Sequence, residues 1–282
     1  MTEAGREGDD GLPPRLHIDA ATARATITLR RPLRHNRLHR CDLHCLQQQL
    51  AQVAADRAVR VLVLTGEGRS FSAGFHLGEI SASPAPPTTA STDASPAASP
   101  QPTQTDPLLF DQTADALQAL PQPSIARLNG GVFGGATDLA LACDFRVGVT
   151  GMELRMPAAS LGLHFYPSGL MRYMSRLGLA AAKHLFLLAD TVPAEELLRI
   201  GYLDRLVAAE ALDATVRHLV DRLAANAPLA VRGMKLSLNE LARGQADAAT
   251  LRGREAHCAA SGDLREGLAA FAARRPPRFS GS

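Results

Sequence analysis

The residues from Asn129 to Asp144 read NGGVFGGATDLALACD, with two glycines directly before a small apolar run and one acid, Asp138, planted in its first turn. Glycine lets a backbone approach a ligand closely. The opening N–H groups of a helix lack internal partners and sit at the positive end of its dipole, so Gly134–Gly135–Ala136–Thr137 has the makings of an anion site. The chain contains neither G-x-x-x-x-G-K-[ST] nor G-x-G-x-x-G, which turns the reading from a bound phosphate to a transient oxyanion. A second glycine site lies upstream, in RSFSAGFHL. Backbone donors from two separate loops converging on one oxygen make an oxyanion hole, each donor worth about 2.7–4 kcal/mol of transition-state stabilisation. The plainer alternative is that both glycine clusters are tight turns.

These loops need regular elements to hold them. Residues 15–31 alternate as two strands around a turn at Ala20–Ala23, and Pro32 ends the pairing. Helical spacing from Asp42 to Ala55 leads to VRVLVLTG, the continuous apolar run of a strand covered on both faces. A helix over Leu108–Leu120 stops at Pro121. SIARLNG then reads as a strand, Thr137–Cys143 as a buried helix and FRVGV as a further strand. The last third is helical, at Ala180–Leu188, Ala194–Ile200, Ala211–Ala225, Leu229–Ala242 and near Asp263–Ala273. Strand–helix alternation followed by a helical tail predicts α/β layers with a helical appendage, and no internal repeat is visible. Between Ser81 and Pro107 the composition shifts to seven prolines with many Ser, Thr and Ala and only two charges, Asp93 and Asp106. Such a segment buries too little apolar surface to offset its ordering entropy, so residues 81–107 are expected to form a disordered loop, as are residues 1–14.

The whole chain has 282 residues, 46% hydrophobic and 21% charged, enough for a substantial core. A net charge of +2, 4% aromatic residues and no Trp argue against a nucleic-acid surface. The opening MTEAGREGDD has neither a signal-peptide apolar run nor transit-peptide character, and no segment reaches the roughly 18 apolar residues of a membrane span, so a cytoplasmic protein without membrane partners is expected. Cys41, Cys45, Cys143 and Cys258 form no disulfide framework. His35, His39, Cys41, His44 and Cys45 cluster in sequence but without the fixed spacing of a metal ligand set, and no metal is expected there.

RSFSAGFHL, LNGGVFGGATDLALACDFRV, MPAASLGL, AEELLRIGYLDRLV and the ending EGLAAFAARRPPRF follow one another in an order that resembles the enoyl-CoA hydratase/isomerase (crotonase) superfamily, from about Leu16 to Phe279. The resemblance implies a crotonase-like β-β-α spiral core over 15–205 and a helical C-terminal region over 206–282 that builds a homotrimer or a dimer of trimers. It implies an acyl-CoA thioester as substrate, with no cofactor beyond the coenzyme A the substrate carries. The oxyanion donors would be the N–H groups of Phe75 and Gly135, with Ala73 beside them at the substrate.

The resemblance also marks departures. Hydratases of the family use two glutamates on the water and the α-carbon. The first falls here on Asp138, one methylene shorter, and the second on Ala158, which moves no proton. Standard hydration is therefore doubtful and the usual single-base enoyl isomerase, which also uses the second position, is disfavoured with it, while a double-bond shift by other groups, decarboxylation and mere acyl-CoA binding stay open. Where many relatives have a glycine-rich turn, LGLHFYPSGLMRY offers His164 and Tyr166 as proton-transfer groups, or an aromatic wall for the acyl pocket. His76 takes the place of the common Asp after A-G, and its imidazole titrates near working pH. Arg37 in RHNRL and the basic tail RRPPR are candidates for contact with the CoA moiety.

Overall fold

A computed structural model describes residues 11–81 and 109–282. Leu12–Asp19 (β1) and Arg24–Arg30 (β2) open the fold as an antiparallel pair, and along β2 every second residue (Ala25, Ile27, Leu29) is buried, the period of a strand with one face in the core. Arg40–Ala55 (α1) buries Leu43, Leu46, Leu50 and Val53 at helical spacing.

A unit of strand, short strand and helix then recurs. It appears first as Val61–Gly66 (β3), Ser70–Ser72 (β4) and Leu77–Ser81 (α2). After Leu109–Ala119 (α3) it returns as Ser124–Leu128 (β5), Gly131–Phe133 (β6) and Gly135–Ala142 (α4), and again as Phe145–Val149 (β7), Glu153–Arg155 (β8) and Pro167–Lys183 (α5). Thr191–Pro193 (β9), Ala194–Arg199 (α6) and Arg205–Val207 (β10) complete the sheets. Leu212–Ala224 (α7), Pro228–Ala242 (α8), Ala248–Ala259 (α9) and Gly262–Ala272 (α10) follow.

The first strand of each unit joins a six-stranded sheet of order β1-β2-β3-β5-β7-β10, parallel from β2 onward. The second joins a four-stranded sheet of order β4-β6-β8-β9, in which β9 alone runs antiparallel. The chain thus steps from one sheet to the other and out to a helix at each turn, the β-β-α spiral that the resemblance implies. The repeat is architectural, which is why none shows in the sequence: its second strands are three residues long, too short to carry a period.

Boundaries differ from expectation in instructive places. The first strand starts at Leu12, inside the segment expected to be disordered, and β10 carries the main sheet past residue 205 to Val207. The helix expected from Ala180 begins at Pro167, where proline suits the first helical position, and Gly178 at φ 80° breaks its course. α9 was not anticipated, because Gly253 and a face with no buried residue give it little pattern. Apart from Ser81, the proline-rich stretch 81–107 lies outside the described residues, as do residues 1–10. Among the described residues no helix is long and apolar enough to cross a membrane.

Candidate active site

The loop after β4 is tied to the residues before α1 by a short parallel bridge between Leu38 and Phe75. The Leu38 N–H donates to the Gly74 carbonyl at 2.8 Å, and the His76 N–H donates to the Leu38 carbonyl at 2.9 Å. In a parallel bridge the residue between two such bonds turns its own N–H to the other side, so the Phe75 amide faces away from Leu38. Gly74 holds φ 83°, and a Cβ there would fall 2.5 Å from the Phe133 carbonyl oxygen and 3.1 Å from the Gly135 nitrogen. Only glycine allows this loop to pass so close to the start of α4. There Gly134, at φ 55°, donates its N–H to Arg155 at 2.9 Å, while the next amide, Gly135, opens the helix. Among the described residues neither the Phe75 nor the Gly135 N–H has a hydrogen-bond partner.

Phe75, Gly135 and Ala73 all line one cavity of about 360 Å³. Its walls are mostly apolar: Phe75, Phe110, Phe133, Phe165 and Tyr166 contribute rings, and Leu and Met side chains fill between them. Ala158 lies in the wall, so the position where the resemblance calls for a second acid does reach the cavity and brings a methyl group to it. Among the described residues that line the cavity there is no carboxylate; Arg40, His164 and Tyr166 are the side chains able to carry or exchange a proton.

Asp138, expected to meet the substrate, does not line the cavity, and its side chain is wholly buried. Its Oδ2 accepts hydrogen bonds from Arg172 and, at 2.5 Å, from the Tyr166 hydroxyl. Its Oδ1 is buried without a partner. Arg172, also wholly buried, donates as well to Asp115 at 2.5 Å and to Gln118 at 3.2 Å. Burial pushes the Asp138 carboxyl above its usual range, against the pull of Arg172 and Tyr166, and the Asp115 charge adds to the rise. Burial likewise holds the Tyr166 hydroxyl well above its ordinary value, and the neighbouring Asp138 raises it further. Burial works against the charge on Arg172, yet Asp138 keeps its guanidinium above the ordinary value. Tyr166 therefore stands between the cavity and a buried ion pair. Its ring is fixed by a stack on Phe165, with centroids 4.2 Å apart, and a Cβ on Gly169 would overlap both rings.

The other sequence candidates fall in different places. His164 lines the cavity but is exposed, with Nδ1 2.8 Å from the Phe165 carbonyl oxygen. His76 is absent from the lining; its ring packs against His39 with centroids 4.8 Å apart, and its Nδ1 lies 3.7 Å from Glu79. Arg37 is absent from it too and lies 3.4 Å from His39 Nε2. His39, His76 and Glu79 do come together in space, but Glu79 is already held by His39 at 2.6 Å and by the Arg40 amide at 3.0 Å, a hydrogen-bonded staple between the start of α1 and α2. The His/Cys cluster before and in α1 disperses, with His35 bonded to Ser70 and Cys45 to Pro14. In the basic tail, Arg275 is engaged by Glu266 at 2.6 and 2.8 Å. Sequence reasoning missed Arg172, Asp115, Arg40 and Phe110. The first had a signal: a lone arginine inside the apolar run LMRYM needs an acid once that helix is buried, and Asp138 was the acid in want of a partner.

A family model described as enoyl-CoA hydratase/isomerase matches residues 20–282. The chain is 30% identical over 261 residues to a crotonyl-CoA hydratase of Syntrophomonas wolfei, covering 90% of this chain and 94% of that protein. It is 34% identical over 270 residues to a probable enoyl-CoA hydratase of Mycobacterium tuberculosis, covering 91% and 89%. Among solved structures, an enoyl-CoA hydratase/carnitine racemase from Magnetospirillum magneticum superposes with a TM-score of 0.83 at 26% identity, over 97% of this chain and 98% of that one. With the motifs, the spiral and the family match in agreement over nearly its whole length, the chain belongs to the enoyl-CoA hydratase/isomerase family.

Proposed function

We propose that the protein is an acyl-CoA enzyme that polarises a thioester carbonyl between the N–H groups of Phe75 and Gly135 and moves a proton through the enolate-like state so formed. The observation that supports the reading is a pair of amides without a hydrogen-bond partner among the described residues, on two separate loops that pass close together at Gly74 and whose residues Phe75 and Gly135 line one cavity. The Gly135 amide begins α4, so the helix dipole adds to the stabilisation of an oxygen that gains charge. Coenzyme A enters as part of the substrate, and the scheme calls for no other cofactor. The hydratases among the relatives support an acyl-CoA thioester as the substrate class.

Ala158 in the cavity wall favours proton shift or decarboxylation over the addition of water. Hydration requires a base on the water and an acid at the α-carbon, and the described lining offers no carboxylate for either task. Incubation with a panel of enoyl-, dienoyl- and malonyl-type CoA esters, read by mass spectrometry, tests the proposal. We expect an isomerised or decarboxylated product to form faster than a hydrated one. Thermal stabilisation by the esters with no product from any of them would overturn the catalytic reading and leave a binder.

A further inference from the structure

We propose that Tyr166 and Asp138, the latter held by Arg172, form a proton relay, in which the Tyr166 hydroxyl is the catalytic group that faces the substrate and Asp138 is a positioning residue that exchanges the proton with it from behind the cavity wall. The inference rests on the acyl-CoA reading above and assigns its proton-transfer group.

Placement carries the argument. Asp138 is wholly buried and does not line the cavity, so it reaches a substrate only through another group. Tyr166 lines the cavity and donates to Asp138 Oδ2 at 2.5 Å, and a hydroxyl can give one proton while accepting another. Its ring is held by Phe165 and by the clearance at Gly169, so the oxygen is kept in one place. In the same lining, Ala158 leaves no rival acid, and His164 is exposed with its Nδ1 beside a carbonyl.

The carboxyl is also built to exist in both protonation states. Ionised, its Oδ2 holds the Arg172 guanidinium and the Tyr166 hydroxyl. Its Oδ1, however, is buried with no partner, and Arg172 divides its charge between Asp138 and Asp115. An ionised carboxylate thus compensated on one side only accepts a proton at small cost. The upward displacement of the Asp138 carboxyl agrees with this.

The step balances as follows. Tyr166 oxygen takes the proton from the substrate α-carbon while its own hydroxyl proton passes to Asp138. The C–H electron pair moves into the enolate, whose oxygen lies at the Phe75 and Gly135 amides. In return, Asp138 gives the proton back to the Tyr166 oxygen, and the Tyr166 hydroxyl proton reprotonates the α-carbon, or the γ-carbon when a double bond shifts.

The test is exchange of the α-protons of butyryl-CoA in D2O, read by mass spectrometry, beside thermal stabilisation of the protein by the same ester. Wild type is expected to be stabilised and to exchange, at a rate that rises with pH as Asp138 loses its proton. Tyr166→Phe and Asp138→Asn are expected to keep the stabilisation and lose about 10²–10⁴-fold in exchange, with the pH-dependent limb absent from Asp138→Asn. Exchange by Tyr166→Phe at the wild-type rate would overturn the relay, as would a loss in Asp138→Asn matched by loss of stabilisation, which a purely structural pair produces. Wild type that is stabilised but does not exchange overturns the relay and leaves acyl-CoA binding intact. Wild type that does neither removes the acyl-CoA reading, and the relay with it.

Discussion

Replacing Arg172 by methionine removes the charge and the forked end of the side chain while keeping an unbranched apolar stem, and comparing two pH values separates the electrostatic part of the loss from the packing part. Both Arg172 and Asp138 are wholly buried. Breaking such a pair from one side costs about 3–5 kcal/mol, since the remaining charge stays in a poor solvent. Asp115 is 41% exposed and finds water when Arg172 goes, so its ion pair adds little to that figure. The penalty must depend on pH. In the wild type, burial already raises the Asp138 carboxyl above its ordinary value. Without the opposing charge it rises further. Between the unfolded value, about 3.9, and the folded one, the folded protein holds a proton that the unfolded chain has released, so stability falls as pH climbs, by at most about 1.4 kcal/mol per pH unit. The window is wider in the variant than in the wild type. Urea unfolding followed by circular dichroism is therefore expected to give a destabilisation of about 3–5 kcal/mol at pH 8 that shrinks by more than about 1 kcal/mol at pH 5, where the orphaned carboxyl is neutral. An equal penalty at both pH values would mean that Asp138 carries no uncompensated charge in the variant, and the account of the pair given above would be wrong.

Three further substitutions probe the cavity and the surface. Gly74→Ala forces an L-residue to φ 83° against the Phe133 carbonyl and is expected to cost about 2–4 kcal/mol by urea unfolding, with turnover of the accepted CoA ester reduced more than about 100-fold; full activity would place the oxyanion donors elsewhere. Ala158→Glu returns a carboxylate to the cavity wall, and hydration of crotonyl-CoA is expected to rise at least about 10-fold; no gain would mean that the missing acid is not what limits hydration. Leu268 and Phe271 on α10 are 63% and 86% exposed, apolar side chains that an interface would cover if the chain assembles as the trimer or dimer of trimers the resemblance implies. Light scattering should give that mass for wild type and a smaller one for Phe271→Asp, and a monomeric wild type would refute the assembly.

Elements with a long apolar period were legible in the sequence, and elements fixed by neighbours were not. β2 and β3, α1, α3 and the helices α7 and α8 were placed within a few residues, since their own side chains supply the pattern that buries them. β4, β6 and β8 are three residues each and owe their existence to the sheet they complete. The site divides in the same way. The Gly134–Gly135 turn and its helix were readable because glycine and a helix start act locally. The fate of Asp138 was not, because it is decided by Arg172, a residue thirty-four positions on and on another helix. His76 illustrates the converse: it sits one residue from a proposed oxyanion donor in sequence, and the bridge to Leu38 leaves it outside the cavity, against His39.

The recessed Asp138 and the methyl group of Ala158 act together on how the cavity handles charge. With Asp138 bonded to Arg172 and Ala158 in the wall, the described lining presents no carboxylate to a substrate, and on the proposed reading the dipoles that meet the substrate oxygen are the two amides and the start of α4. In so apolar a space a developing enolate is stabilised more strongly than it would be in water, and no nearby carboxylate repels it. A water molecule in the same space meets no carboxylate in the described lining to activate it. On the proposed reading, the absence of a carboxylate from the described lining and the presence of Tyr166 there act in the same direction: the enolate forms at the two amides with no carboxylate beside it to direct water onto it, so the chemistry begins and ends with a proton on carbon.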